Sequence, residues 1–426
     1  MIYFQSLTQS DLAELLLPLS DEHRGPERAM KQARYRAKMI YHWVYQRFVT
    51  EWDEMSDLSK STREWLKANV QIFRLEDRMN RQALDGTHKF LWELPDQKTI
   101  ESVIIPAALQ EKDIIEPEDK TAPRVNGSQV ARNAELYRQG KRFSGRLAPD
   151  KDLTSDHWTR LTACISSQVG CAMACKFCLT GVQGLDRHLQ THEIVTQVYE
   201  LRRLAPITNI VFMGMGEPLH NFDNVVKACK IMLDGDGLNF SKRKVTISTS
   251  GLVPAIIELG KQVDVSLAIS LNGSNDEQRS AIMPVNKKWN IESLMKACRE
   301  YPLGSHRRIT FEYVMLKDFN DSLEDAARVA QLTRGIPSKI NLIPFNEHPA
   351  APYKRPTDET VRKFQEYLMD RHIVATVRIS RGRDILAACG QLRSIFGTAR
   401  GSDKHKDWKP LTVVASDEST ADVSTA

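Results

Sequence analysis

The sequence predicts an α/β fold of the barrel kind, in which parallel strands alternate with helices behind a small helical region and a β-hairpin. From Leu161 onward, apolar or β-branched runs (LTACIS, NIVFMGMG, KVTISTS, VDVSLAIS, RITFEYVML, KINLIPFN, ATVRIS) are separated in most cases by helical patterns such as THEIVTQVYELRRL and DNVVKACKIML. Alternation of that kind produces a parallel sheet. The loops after these runs hold the unusual residues: Cys171 to Cys178, Gly214 to Pro218, Ser248 to Gly251, Ser270 to Asn272, and Asn346. Loops at the C-terminal ends of barrel strands converge on one mouth, so five such loops point to one site. With 426 residues and 41% hydrophobic content, the chain can bury one large core with appendages.

Residues 1–80 read as a helical accessory domain, with two or three short helices over 34–69. Ile40, Trp43, Val44 and Phe48 recur as one apolar face, and Arg34, Arg36, Lys38 and Arg47 fall largely outside it. A small bundle with a solvated basic face and a basic, aromatic-flanked RNA-binding domain both give this pattern. The stretch SDLSKSTREWL places a capped helix start near residue 59. Residues 81–106 form the hairpin: THKFLWEL and TIESVIIP flank the turn tetrapeptide PDQK, and Phe90, Trp92 and Leu94 alternate. Glu101 sits in the second strand, where a lone glutamate ordinarily faces water. Residues 107–160, rich in charge and proline with one possible short helix at VARNAELYRQG, read as an inserted, partly disordered segment. The barrel is expected over 161–400 and a disordered tail over 401–426.

The 59 basic and 54 acidic residues leave a formal charge of +5, which permits nucleic-acid contact without demanding it. No apolar run approaches membrane-spanning length, and the first thirty residues lack the pattern of a signal peptide. The expected compartment is a reducing cytoplasm, where free thiols survive.

Four of the seven cysteines lie in TACISSQVGCAMACKFCLTG, and Cys171, Cys175 and Cys178 form C-x3-C-x2-C. Crowded thiols in such a chain serve metal binding or redox chemistry. Three thiolates can hold three irons of a [4Fe-4S] cluster and leave the fourth open, whereas electron carriers of the ferredoxin type supply four cysteines. With Cys164 as a fourth ligand, the same residues could instead hold a structural zinc. Structural zinc sites usually take ligands as two short pairs, which this spacing does not offer. Cys229 and Cys298 lie on amphipathic patterns and read as core, while Cys389 has a polar, glycine-bearing flank.

The cysteine spacing, with Phe177 before the last thiol, resembles the radical S-adenosylmethionine superfamily, in which the cofactor's methionine half chelates the open iron. CISSQVGCAMACKFC, MGMGEPL, STSG, AIMPVNKKWNIE, INLIPFN and AACGQL together resemble the dual-specificity radical S-adenosylmethionine RNA methyltransferases, which methylate C2 of adenine in 23S rRNA and tRNA. A related family methylates C8 of the same rRNA adenine, and MGMGEPL and LIPFN look closer to the C2 enzymes. The non-enzyme alternative is a zinc-stabilised RNA-binding protein.

The resemblance implies a partial (βα)6-type radical SAM barrel, a [4Fe-4S] cluster on Cys171, Cys175 and Cys178, and two S-adenosylmethionine molecules per turnover. It implies that Cys389 is methylated on sulfur and carries the carbon to C2, that Cys164 resolves the covalent RNA adduct through a disulfide with Cys389, and that Glu101 accepts the C2 proton. Cofactor contacts fall to Gly216, Glu217, Ser248, Ser270, Leu271, Asn272 and Asn346. The implied partners are 23S rRNA, tRNA and a reducing protein such as a flavodoxin or ferredoxin, with a monomeric chain and no membrane. Two departures stand out: Asn272 replaces the family's usual histidine, and the 107–160 segment separates Glu101 from Cys164.

Overall fold

The computed structural model describes residues 1–20, 25–106, 160–378 and 380–392. The expectations for the inserted segment, all but Arg160, and for the 401–426 tail lie outside them.

The N-terminal region is helical but not wholly so. β1 (Ile2–Tyr3) leads to α1 (Gln9–Leu16), which starts at a capping box: Thr8 Oγ1 accepts from Asp11 N, and the Asp11 carboxylate accepts from Thr8 N. α2 (Pro26–Tyr41) packs on α1 through Ala33 and Ala37, both fully buried, whose small side chains permit close approach. Ile40 and Val44 are buried as expected, while Tyr41 and Tyr45 fill the face assigned to Trp43 and Phe48, which are only partly covered. α3 (Lys60–Asn69) begins at Ser59, whose hydroxyl accepts from Thr62 N at 3.2 Å. β2 (Val70–Gln71) then pairs parallel with β1.

The hairpin expected from residue 81 is a three-stranded antiparallel meander from Glu76: β3 (Glu76–Gln82), β4 (His88–Glu93) and β5 (Thr99–Pro106). β3 lacks an apolar period because it is an edge strand with most side chains in water. The meander is also no separate unit, since β5 pairs antiparallel with β6 (Leu161–Cys164), the first barrel strand.

Next, β7 (Gln168–Gly170) and β8 (Leu185–His188) pair across the cysteine loop and the short α4 (Leu179–Gln183). Then come α5 (Thr191–Leu204), β9 (Asn209–Phe212), α6 (Phe222–Leu233), β10 (Val245–Thr249), α7 (Val253–Gln262), β11 (Ser266–Ser270), α8 (Asp276–Ile282) and α9 (Ile291–Glu300). The chain closes with β12 (Ile309–Met315), α10 (Leu323–Leu332), β13 (Ser338–Pro344), α11 (Asp358–Met369) and β14 (Ala375–Val377). The sheet order β14-β13-β12-β11-β10-β9-β6-β5-β4-β3 is an open, partial barrel, with β6 and β9 to β14 parallel and the meander extending one edge.

Register carries one face across the whole sheet. Cys164 pairs with Val103 and Val211, Ser248 with Ala268, Ser270 with Glu312, Glu312 with Asn341, and Asn341 with Thr376. Side chains of paired residues share a face, so these residues, with Lys89 paired to Val103 and Glu101 two positions before it, look into the barrel. The opposite face presents Ile247, Ile269, Phe311 and Leu342 to the buried core. A barrel interior usually holds branched apolar side chains; this one is strongly polar, which marks it as a site.

The N-terminal region docks on α5. Tyr3 packs on the His192 ring (4.2 Å between centroids) and the Arg74 guanidinium forks onto Glu200, while Gln5 ties the two ends of the N-terminal region together through two hydrogen bonds with the backbone of Phe73 (2.8 and 2.9 Å). No helix among the described residues is long and apolar enough to cross a membrane.

Candidate functional site

The cysteine loop is shaped by glycine. Gly170 has φ +77°, and a Cβ there would lie 1.8 Å from Gly184 O, so no other residue fits the start of the loop. Cys171 N donates to Gly184 O (2.8 Å) and Cys178 N to Cys175 O (3.1 Å). The loop is tied to the C-terminal segment by Leu179 N donating to Gly390 O (2.7 Å) and Thr180 Oγ1 to Leu392 O (2.6 Å), which brings Cys389 beside Cys178.

Cys171, Cys175 and Cys178 line one cavity of about 160 Å³ together with Gly216, Glu217, Ser248, Ser270, Glu312, Arg378 and Cys389. All seven cysteines are free thiols. Burial pushes the Cys171 thiol up to about 12, and raises Cys175 and Cys178 as well. Thiols held protonated by burial need a strong positive charge to become ligands, and iron supplies it. Among the described residues no three His, Cys, Asp or Glu side chains converge on a point suited to a single ion. Cys164 is not on the cavity wall, so the four-thiolate zinc arrangement has no matching geometry. Three soft donors spread around one cavity fit a polynuclear cluster.

Cys389 lies on the wall shared by this cavity and a smaller one, of about 20 Å³, lined also by Ile105, Asn346, Ser380 and Arg381. Asn346 Nδ2 donates to Cys389 O (3.3 Å), while its buried Oδ1 has no partner among the described residues and can accept from a ligand. Cys164 is buried on β6 within electrostatic reach of Cys389; burial first, then the Cys389 thiol, push it up to about 12, opposed by Arg378 and the Met213 N–H. Arg378 faces Cys389, Glu312 and Cys164 and holds its proton more tightly for it.

Glu101 does not face water. It is fully buried on the inward face of β5, with Oε1 3.0 Å from Lys89 Nζ, and Lys89 also donates to Leu386 O (3.3 Å) in the Cys389 segment.

Of the residues expected at the cofactor, Gly216, Glu217, Ser248 and Ser270 reach the larger cavity. Glu217 Oε1 accepts from Leu219 N (3.1 Å) and Oε2 from Ser250 N (2.7 Å), so the carboxylate also clamps two loops; burial raises it above the usual carboxylate range. At Gly216, φ +103°, the close approach is by Gln168, whose Cβ would be 2.6 Å from an added Cβ. Leu271 and Asn272 do not line the cavity. The Asn272 amide is committed to the protein, accepting from Val314 N (2.8 Å) and donating to Met283 Sδ (3.3 Å).

Sequence reasoning missed Lys89, Arg279, Glu312 and Arg378. Their common signal is a charge within or beside an apolar run: Glu312 in RITFEYVML and Arg378 in ATVRIS sit on the polar phase of their strands. Glu312 lines the cavity, accepts from Asn341 Nδ2 (2.9 Å) and is raised by burial.

Comparison with known proteins matches residues 165–330 to the Radical SAM superfamily and residues 28–72 to the Ribosomal RNA large subunit methyltransferase N-terminal domain. The chain is 45% identical over 379 residues to the Dual-specificity RNA methyltransferase RlmN 2 of Myxococcus xanthus, covering 87% of each chain. It is 45% identical to the Dual-specificity RNA methyltransferase RlmN of Geotalea uraniireducens, over 84% of this chain and 90% of that one. A crystal structure of a radical SAM methyltransferase from Sphaerobacter thermophilus superposes with a TM-score of 0.71 at 36% identity, covering 92% of this chain and 99% of the other.

Proposed function

This chain belongs to the family of dual-specificity RlmN RNA methyltransferases, and from that premise we propose that it methylates C2 of adenine in 23S rRNA and tRNA through a methylated cysteine. The observation that carries the reading is Cys389 on the wall between two cavities, with the three-thiol loop on one side and Cys164 within reach. Cys171, Cys175 and Cys178 would hold the [4Fe-4S] cluster, with Gly216, Glu217, Ser248 and Ser270 around S-adenosylmethionine. When bound, these groups supply both an electrophilic methyl and the one-electron cleavage that removes hydrogen from an unactivated carbon.

The chain's own residues do the rest. Cys389, having lost its thiol proton, accepts a methyl on sulfur. That carbon, after loss of one hydrogen atom, bonds to C2 and joins RNA to protein as a thioether. Glu101 takes the C2 proton, with Lys89 holding the carboxylate in place, and the unpaired electron left on the adduct would pass back to the cluster that Cys171, Cys175 and Cys178 would hold, which leaves a closed-shell thioether. The Cys164 thiolate then attacks the Cys389 sulfur: the S–S bond forms, the S–C bond breaks, and its electron pair stays with the carbon, which is protonated as the methylated base leaves. Arg378 faces both sulfurs and offsets the negative charge that each must carry in turn.

RNA reaches the site with its target base unstacked. Its platform is α2 with the helical turn at its C-terminal end, where Arg28, Lys31, Arg34, Lys38 and Tyr35 are exposed and Arg47 stacks on Trp43 at 4.0 Å. The chain works as a cytoplasmic monomer and takes electrons from a small redox protein of the flavodoxin or ferredoxin kind.

The test is mass spectrometry of RNA incubated with reconstituted protein, S-adenosylmethionine and reductant. 2-Methyladenosine is expected; 8-methyladenosine, or no methylated adenine, overturns the reading. Cys164→Ala is expected to trap an RNA-protein adduct and Cys389→Ala to form none.

A further inference from the structure

Arg279 is the largest fully buried side chain among the described residues, yet its four hydrogen bonds end on neutral acceptors. Nε donates to Leu271 O (3.0 Å), Nη1 to Asn286 Oδ1 (2.7 Å), and Nη2 to Ser250 O and to Ser270 O (3.2 Å). Asp276 is linked to it through the Asn286 amide, which donates to Asp276 Oδ1 at 2.8 Å. The surroundings are built to admit the guanidinium. A Cβ on Gly251 would sit 3.1 Å from Nη2, and one on Gly273 2.8 Å from the Arg279 backbone nitrogen. A buried cation whose direct hydrogen bonds all end on neutral acceptors, with its nearest carboxylate one amide away, is costly, and proteins retain one where an opposite charge arrives. Its charge acts first on the Cys175 thiol, then on Asp276 and the Cys298 thiol. Three of these bonds, to Ser250 O, Ser270 O and Leu271 O, hold the ends of β10 and β11, where Ser250 and Ser270 line the cavity.

We propose that Arg279 is the built-in countercharge of the thiolate-ligated cluster and biases it toward the reduced state. The proposal rests on the reading of Cys171, Cys175 and Cys178 given above. Three thiolates leave a cluster of this kind with net negative charge, and adding an electron deepens it. A fixed positive charge in a water-poor interior therefore favours the reduced form, because net charge and surroundings set cluster potentials. Arg279 touches neither substrate nor cofactor and is a positioning residue with an electrostatic effect.

The experiment is a redox titration of the reconstituted protein without RNA, using dithionite as one-electron donor and following the reduced cluster by electron paramagnetic resonance. For Arg279→Gln, the reduced-to-oxidised ratio at a fixed potential is expected to fall at least tenfold, about 59 mV for one electron. Arg279→Lys keeps the charge and is expected to stay within threefold of the unmodified protein. Asn286→Asp keeps the guanidinium and sets a carboxylate against it, so it is expected to reproduce the fall should Arg279→Gln fail to fold. A folded, cluster-loaded Arg279→Gln or Asn286→Asp with an unchanged ratio overturns the proposal. If the unmodified protein takes up no four-iron cluster, the parent reading has failed and the proposal falls with it.

Discussion

Lys89 and Glu101 show how a single buried ion pair can tie two parts of the chain together. Their side chains are 10% and 1% exposed, and Lys89 also reaches Leu386 O, so the pair ties the meander to the segment that bears Cys389. Removing one member of a buried pair leaves a charge without its partner, whereas replacing both by apolar groups is close to neutral. Lys89→Met is therefore expected to cost about 3 kcal/mol in urea denaturation, and Lys89→Met with Glu101→Leu to regain most of it. An unchanged midpoint for the single variant would show that the pair contributes nothing. The cysteines were legible at this scale because C-x3-C-x2-C is local in sequence. Lys89, Glu312 and Arg378 were not, because which way a strand charge points depends on the register of every strand between it and the edge. The place of Asn272 after a strand suggests a cofactor contact, but that position is spent on joining β11 to β12.

Elements with their own start signals are legible in the sequence. Ser59 caps α3, Ser322 and Asp325 close a capping box on α10, and the barrel strands coincide with the apolar runs that announce them, β13 starting one residue early at Ser338. β3 escapes because its edge position lets it be polar, and β7 and β8 because three or four residues give too short a period to recognise. The docking of β1 onto α5 depends on His192, between Tyr3 and Phe73 at 4.2 and 4.7 Å. Burial, opposed by Glu193 and reinforced by Arg187, holds His192 down at about 4 against an ordinary 6.5. A depressed folded value means that the neutral ring's contribution is fully present above about 6.5 and is lost as pH falls toward 4. Urea midpoints should therefore decline over that window, and His192→Phe should flatten the decline. An identical slope in the variant would place the acid sensitivity elsewhere.

At the scale of the whole molecule, the question raised by the sequence is how Glu101 and Cys164 can share a site with the 107–160 segment between them. The answer lies in β5 and β6, whose ladder runs Val103 with Cys164, Ile104 with Ala163, Ile105 with Thr162, and Pro106 with Leu161. The two ends of the segment leave from paired residues, where a hairpin turn would stand. The positions of Glu101 and Cys164 are therefore set by strand pairing and not by the chain that joins them. Loop length enters closure entropy only logarithmically, about 0.6 kcal/mol for each doubling, so a long connection here is cheap to keep and cheap to lose. Replacing 107–160 by a four-residue turn with glycine is expected to preserve the circular dichroism spectrum, to leave the urea midpoint no lower, and to keep the Cys164→Ala adduct forming with RNA. Loss of the fold would mean that the ladder depends on the segment. A retained fold with weaker RNA binding would instead make residues 107–160 part of the RNA-contacting surface.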